Sequence, residues 1–271
     1  MNEHAATPAT SHVRLKAVAI PAEHGGWGFL LEPILLGLLV APSWGGVFLA
    51  IAVLAAFLVR HPLKLALTDR RRGRRYARTV MAERFMLLYL TTALLALVAA
   101  ILAAGPVMLL PLALAAPLAA IQLLYDAQNK GRHWLPETTS PTALAASGTS
   151  IALAGGWSMG PALALWIIMA ARAIPAVLYV RARLRLEKGQ RPALAPALLS
   201  HLVSIGIVLV LVQAGLAPYL AVLAMVILLA RAAYGLSKYR RSVVPKVIGF
   251  QEMGFGGMTA TLTALGFMLR L

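Results

Sequence analysis

The sequence predicts an all-α protein, a polytopic bundle of about nine membrane-spanning helices. Three observations carry that expectation. Of 271 residues, 60% are hydrophobic and 13% charged, and the mean hydropathy is +0.80. Soluble domains sit near about 45–50% apolar and about 25% charged, so an ordinary water-soluble globule is excluded. Apolar runs recur along the chain, and the connections between them alternate between charge-free and strongly basic.

Residues 1–20 lack the uninterrupted apolar stretch and cleavage site of a secretory signal, and read as a short cytoplasmic tail before a single helical domain over 21–271. Nine runs approach the roughly 20 residues needed to cross a hydrocarbon core. They lie at 27–43, 45–60, 84–104, 106–125, 142–159, 161–180, 195–215, 217–235 and 251–269. The runs 45–60 and 142–159 are short, and the latter is rich in Ala, Gly, Ser and Thr, so a tilted or partly interfacial helix is the alternative for each.

The connections near 43–46, 105, 159–161 and 215–217 carry no charge and read as tight turns at one face. The other face holds Arg14 and Lys16, the run from Arg60 through Arg78, Lys130 and Arg132, the run from Arg181 to Arg191, and Lys238 to Lys246. The positive-inside rule makes that face cytoplasmic, with the N-terminus inside and, for nine spans, the C-terminus outside. The net charge of +16 is thereby a topology signal, and no basic-aromatic motif accompanies it to suggest nucleic acid. The absence of cysteine excludes disulfides, thiolate metal sites and a cysteine nucleophile.

A charge inside a span is costly without a partner or a wet cavity, which makes Glu32 and Arg172 informative. Glu32 precedes Pro33, and Arg172 lies three residues before Pro175, so each charge is expected beside a helix break. A structural ion pair and a shared polar cavity are the two readings.

Near the basic face, Arg60, His61 and Lys64 follow the second run, and Arg181 and Arg185 share one face of a continued sixth helix. Asp126, Asn129 and Lys130 form a polar cluster at the exit of the fourth run, beside Tyr125 and Trp134. His24 and Trp27 mark the membrane interface at the start of the first run. Glu252 is expected at the start of the ninth helix, where a carboxylate favours the dipole, and Gly254, Gly256 and Gly257 beyond it allow close packing. HExxH, Walker and GxSxG signatures are absent.

The segments PAEHGGWGFLLEP, FLVRHPLKLALTDRRRGRR, LLYDAQNKGRHWLPE and RAIPAVLYVRARLRLEKG resemble the YwiC-like bacterial integral membrane proteins, with HGGWG and RHPLK the most specific pieces. The resemblance implies a multi-pass protein of the bacterial cytoplasmic membrane and little chemistry. More distantly, the helix count and the basic exits after helices two, four, six and eight are similar to the UbiA-type intramembrane prenyltransferases. Those enzymes hold a prenyl pyrophosphate through Mg²⁺ on NDxxDxxxD and DxxxD motifs. By position, the first motif falls on Arg60, His61, Lys64 and Thr68, and the carboxylates of the second on Arg181 and Arg185. The acidic residues are replaced, so Mg²⁺ is not supported and no cofactor is expected.

Arginine and lysine bind phosphate directly by charge-assisted hydrogen bonds, whereas carboxylates need a bridging cation. The expected ligand is therefore a phosphate-bearing amphipathic lipid or isoprenoid in a basic, cytoplasm-facing pocket, and the expected partners are membrane lipids. Loss of the metal removes a large electrostatic contribution to ionising an allylic pyrophosphate, which leaves catalysis by a divergent prenyltransferase open. Two alternatives stand beside it: a non-catalytic assembly or anionic-lipid-binding protein, and a small-solute transporter.

Overall fold

The computed structural model describes residues 15–21, 24–128, 130–131 and 133–270, with only the backbone of Lys16, His24 and Gly25. Most of the expected tail and Asn129 and Arg132 therefore lie outside the described residues. Among those described, the chain forms ten helices: α1 (Leu15–Ala19), α2 (His24–Val40), α3 (Trp44–Arg71), α4 (Ala77–Ala104), α5 (Leu110–Ala127), α6 (Trp134–Ala154), α7 (Met159–Glu187), α8 (Ala195–Gln213), α9 (Tyr219–Leu236) and α10 (Pro245–Leu269). A 3-10 turn, Pro106–Leu109, leads into α5. Six of the segments, those of α3, α4, α5 with its 3-10 turn, α7, α8 and α9, are long and apolar enough to cross a membrane. The protein is a polytopic membrane helix bundle.

Each of the nine expected runs corresponds to one of α2 to α10, but several helices extend well past the apolar stretch. At about 1.5 Å per residue, a 28-residue helix such as α3 is about 42 Å long and carries its basic end beyond the hydrocarbon. Arg60, His61 and Lys64 accordingly lie within a continuous helix rather than at its end. The helices α2 and α7 also continue through Pro33 and Pro175. The breaks expected beside Glu32 and Arg172 do not occur, since neighbouring helices can satisfy a backbone carbonyl that proline releases.

The helix α6 is not one of those six long, apolar segments, but it lies inside the bundle. Its residues from Ala145 to Ala152 are buried in an unbroken row, and it packs against α2, α3, α5 and α7. Small side chains are required because protein surrounds it: a Cβ on Gly37 would stand 2.7 Å from the Gly148 carbonyl, and one on Gly148 would stand 2.7 Å from that of Pro33. By contrast, α4 is peripheral, with Leu87, Leu94, Leu95 and Leu102 exposed where lipid would lie. Gly105 (φ 78°) and Gly215 (φ 69°) form charge-free turns between successive helices, a backbone conformation that other residues rarely adopt.

Candidate functional site

Four charged side chains from four helices meet inside the bundle. Arg172 of α7 is 1% exposed and Glu32 of α2 is 4% exposed, and Arg172 Nη2 lies 3.1 Å from Glu32 Oε1. The same nitrogen donates to the backbone carbonyl of Glu252 on α10 at 2.6 Å. Arg231 of α9 reaches the Glu252 carboxylate, Nη1 to Oε1 at 2.9 Å, with both side chains 9% exposed. The Arg231 guanidinium is stacked over the Tyr179 ring of α7 at 4.0 Å and near the Phe255 ring at 5.3 Å, while that of Arg172 faces Phe29 at 5.1 Å. Two cations and two carboxylates thus offset each other, and the aromatic faces supply further stabilisation in a dry setting.

The backbone is shaped to admit this group. A Cβ on Gly256 would fall inside the Glu32 carboxylate, and one on Gly235 would collide with the Tyr179 hydroxyl. Gly254 and Gly257 would meet nothing within 4 Å, so of the three glycines expected to serve close packing only Gly256 does. Glu252 lies seven residues after Pro245, two turns into α10, and is buried instead of occupying the first turn or the interface. Helix dipole therefore does not explain it. The nearby buried His201 of α8 holds its Nδ1 2.7 Å from the Ala197 carbonyl.

A second group lies where the helices reach the basic face. Arg60 Nε donates to Asp126 Oδ2 at 2.6 Å, and Lys64 Nζ stands 3.7 Å from Asp126 Oδ1. Arg71, two turns further along α3, donates to the Ala127 carbonyl at 2.8 Å. The ends of α3 and α5 are joined by these bonds. A third group joins α6 and α7 through the ion pair of Arg181 with Glu137. Among the described residues, no three His, Asp or Glu side chains come together as a metal site.

Residues 20–153 match the family model of the YwiC-like protein. Over that stretch, just under half of its length, the chain is similar to the YwiC-like family. No curated protein and no solved structure matches the chain. The matched stretch contains Asp126 with its partners Arg60 and Lys64, whereas the partners of Glu32 and Glu137, Arg172 and Arg181, and the pair Arg231 with Glu252 lie beyond residue 153.

Of the residues singled out by the sequence, the fold joins Arg60 and Lys64 to Asp126, and Glu32 to Arg172. Arg181 takes Glu137, while Arg185 is exposed one turn beyond it on α7. His61 lies 3.0 Å from the Ala17 carbonyl of α1, and Lys130 is exposed beyond α5. Trp27 donates from Nε1 to the Pro21 carbonyl at 3.3 Å, and nothing is described of the His24 side chain.

Arg231 and His201 were not singled out by sequence reasoning. Each interrupts an apolar helix about two turns or less from its basic-face end, so it resembles the flanking topology charges. The available signal was that each sits inside its apolar run, as Arg172 does in α7. Arg183, between Arg181 and Arg185 but on a different face of α7, is buried, donating to the carbonyls of Gly235 and Arg241 and pairing with Glu187.

Proposed function

We propose that the protein binds a phosphate-bearing amphipathic lipid at its basic face, with the phosphate held directly by arginine and lysine. One observation carries the reading: Arg60 and Lys64 converge on the single carboxylate of Asp126, so this corner of the bundle has a surplus cation. Lys64 is 45% exposed, and its ammonium is accessible to a headgroup. The corner lies just beyond the apolar part of α3, at the depth of lipid phosphates if the basic face is cytoplasmic. The exposed Arg185 and the half-exposed Arg181 add cations at the corresponding level of α7.

Direct charge-assisted bonds to phosphate require no metal. An isoprenoid phosphate and an anionic phospholipid present the same chemistry, and mass spectrometry of lipids retained by the purified protein separates them. The reading expects retention to fall when Arg60→Gln and Lys64→Gln are combined, and to survive EDTA. Retention that disappears with EDTA, or that ignores the double substitution, would overturn it. Release of pyrophosphate from a prenyl pyrophosphate, followed with an amphipathic acceptor present, separates a prenyltransferase from a binding or assembly protein.

A further inference from the structure

A cavity of about 500 Å³ lies between α6, α7 and α8 at the level of the apolar parts of these helices. Trp166, Ile167, Ala170, Ile174, Val203 and Ile207 line much of it. Val203 is 60% exposed, Ile167 42% and Ile207 40%, so the cavity opens sideways, toward the surrounding lipid.

The polar groups in its wall are already occupied. Thr142 Oγ1 donates to the Thr138 carbonyl and Trp166 Nε1 to the Thr142 carbonyl. Ser200 Oγ donates to the Ala197 carbonyl, and Ser204 Oγ is shared between the carbonyls of Ala171 and Ser200. A polar solute would lose its hydration here and gain little in return, whereas a hydrocarbon chain would not.

The cavity is aligned with a basic site. Residues seven apart on a helix fall within about 20° of one face, so Ile167, Ile174 and Arg181 form one stripe along α7. Arg185 continues it by one more turn. From Ile174 to Arg181 the rise is about 10 Å, so Arg181 follows the groove lining on the same stripe, two turns closer to the basic face. Glu137 of α6 holds Arg181 from the other side.

We infer that this groove seats the hydrocarbon tail of a single-tailed lipid phosphate whose phosphate engages Arg181 and Arg185. The inference rests on the direct phosphate binding proposed above and adds a second site, at the α6–α7 corner, whose ligand is one apolar chain carrying one phosphate. A volume of about 500 Å³ is within the range of small-molecule pockets and suits one chain better than two. Charge complementarity at one end and an apolar, laterally open wall along the rest are what such a molecule presents.

The test uses the full chain in lipid nanodiscs and a photoreactive farnesyl monophosphate, with the matching farnesol and isopentenyl monophosphate as competitors. Labelled peptides should come from α7 and α8. Tryptophan at Val203 or Ile174, both facing outward, should narrow the groove without entering the core and reduce labelling about tenfold or more. Val226→Trp on the exposed face of α9 should leave it unchanged. Arg181→Gln with Arg185→Gln should also reduce labelling, and farnesyl monophosphate should compete better than either competitor.

Labelling insensitive to Val203→Trp and Ile174→Trp, but lost with the Arg60 and Lys64 substitutions, would overturn the groove and leave the headgroup reading standing. Equal competition by farnesol would overturn the groove as a phosphate site, because phosphate would then contribute nothing there, and the Arg60 and Lys64 double substitution remains the separate test of the headgroup reading.

Discussion

Glu252 receives two arginines from two different helices: Arg172 of α7 at its backbone carbonyl, 2.6 Å, and Arg231 of α9 at its carboxylate, 2.9 Å. Since Arg172 also reaches Glu32 of α2, one chain of charges ties α2, α7, α9 and α10 together. Glu32 lies about 12 Å along α2 and Glu252 about 10 Å along α10 from their basic-face ends, and Arg172 lies near the middle of α7. The described geometry makes this network a clamp, and the surface cations are better placed to meet a ligand.

Removing one partner of a buried pair leaves an uncompensated charge, at a cost of about 3–5 kcal/mol. Arg231→Met and Glu252→Met should therefore each lower the thermal midpoint of the protein in detergent, while the double substitution should recover a substantial part of the loss. Additive losses would show that the two side chains do not act as a pair.

Two neighbouring glycines provide a matched comparison. Gly256→Ala would push a methyl into the Glu32 carboxylate, and overpacking of that kind costs about 1–3 kcal/mol. Gly257→Ala, with open space around it, should be neutral or stabilise by up to about 1 kcal/mol through helix propensity. Equal effects in the two thermal melts would remove the packing role assigned to Gly256.

The spans were legible because an apolar run of bilayer length seldom arises outside a membrane, and Glu32 and Arg172 were legible as isolated charges far inside such runs. Arg231 and His201 were obscured by proximity to helix ends that already carry topology charges, and the same proximity gave Glu252 the reading of a helix-start carboxylate. Helix adjacency was the deeper obstacle. Nothing in one sequence brings Arg60 on α3 to Asp126 on α5, 66 positions away, or Arg181 on α7 to Glu137 on α6. The four basic residues that position matching gathered into one pocket are distributed in the fold over two carboxylate-bearing corners. The small residues of α6 also had two meanings in sequence, weak insertion or close packing, and only its neighbours distinguish them.

Neutralising Asp126 should separate stability from ligand binding. In Asp126→Asn, Arg60 and Lys64 lose their shared carboxylate, so the corner becomes more positive while the link between α3 and α5 weakens. Retention of anionic lipid should rise and the thermal midpoint should fall, both read on the same purified sample. A fall in retention would mean that Asp126 presents the two cations in a geometry the ligand requires.

The orientation of the bundle can be tested directly, since the chain contains no cysteine. Arg72 closes α3 at the basic face, and Trp44, 75% exposed, begins the same helix at the charge-free face. The positive-inside bias counts lysines and arginines and gives little weight to acidic residues. The pairing of Arg70 and Arg75 with Glu83, and of Arg78 with Asp69, therefore does not weaken the signal of this connection. In intact cells, a membrane-impermeant thiol reagent should label Trp44→Cys and spare Arg72→Cys, and permeabilisation should expose the latter. The reverse pattern would put the arginine-rich face outside, and the proposed ligand would then have to be drawn from the outer leaflet.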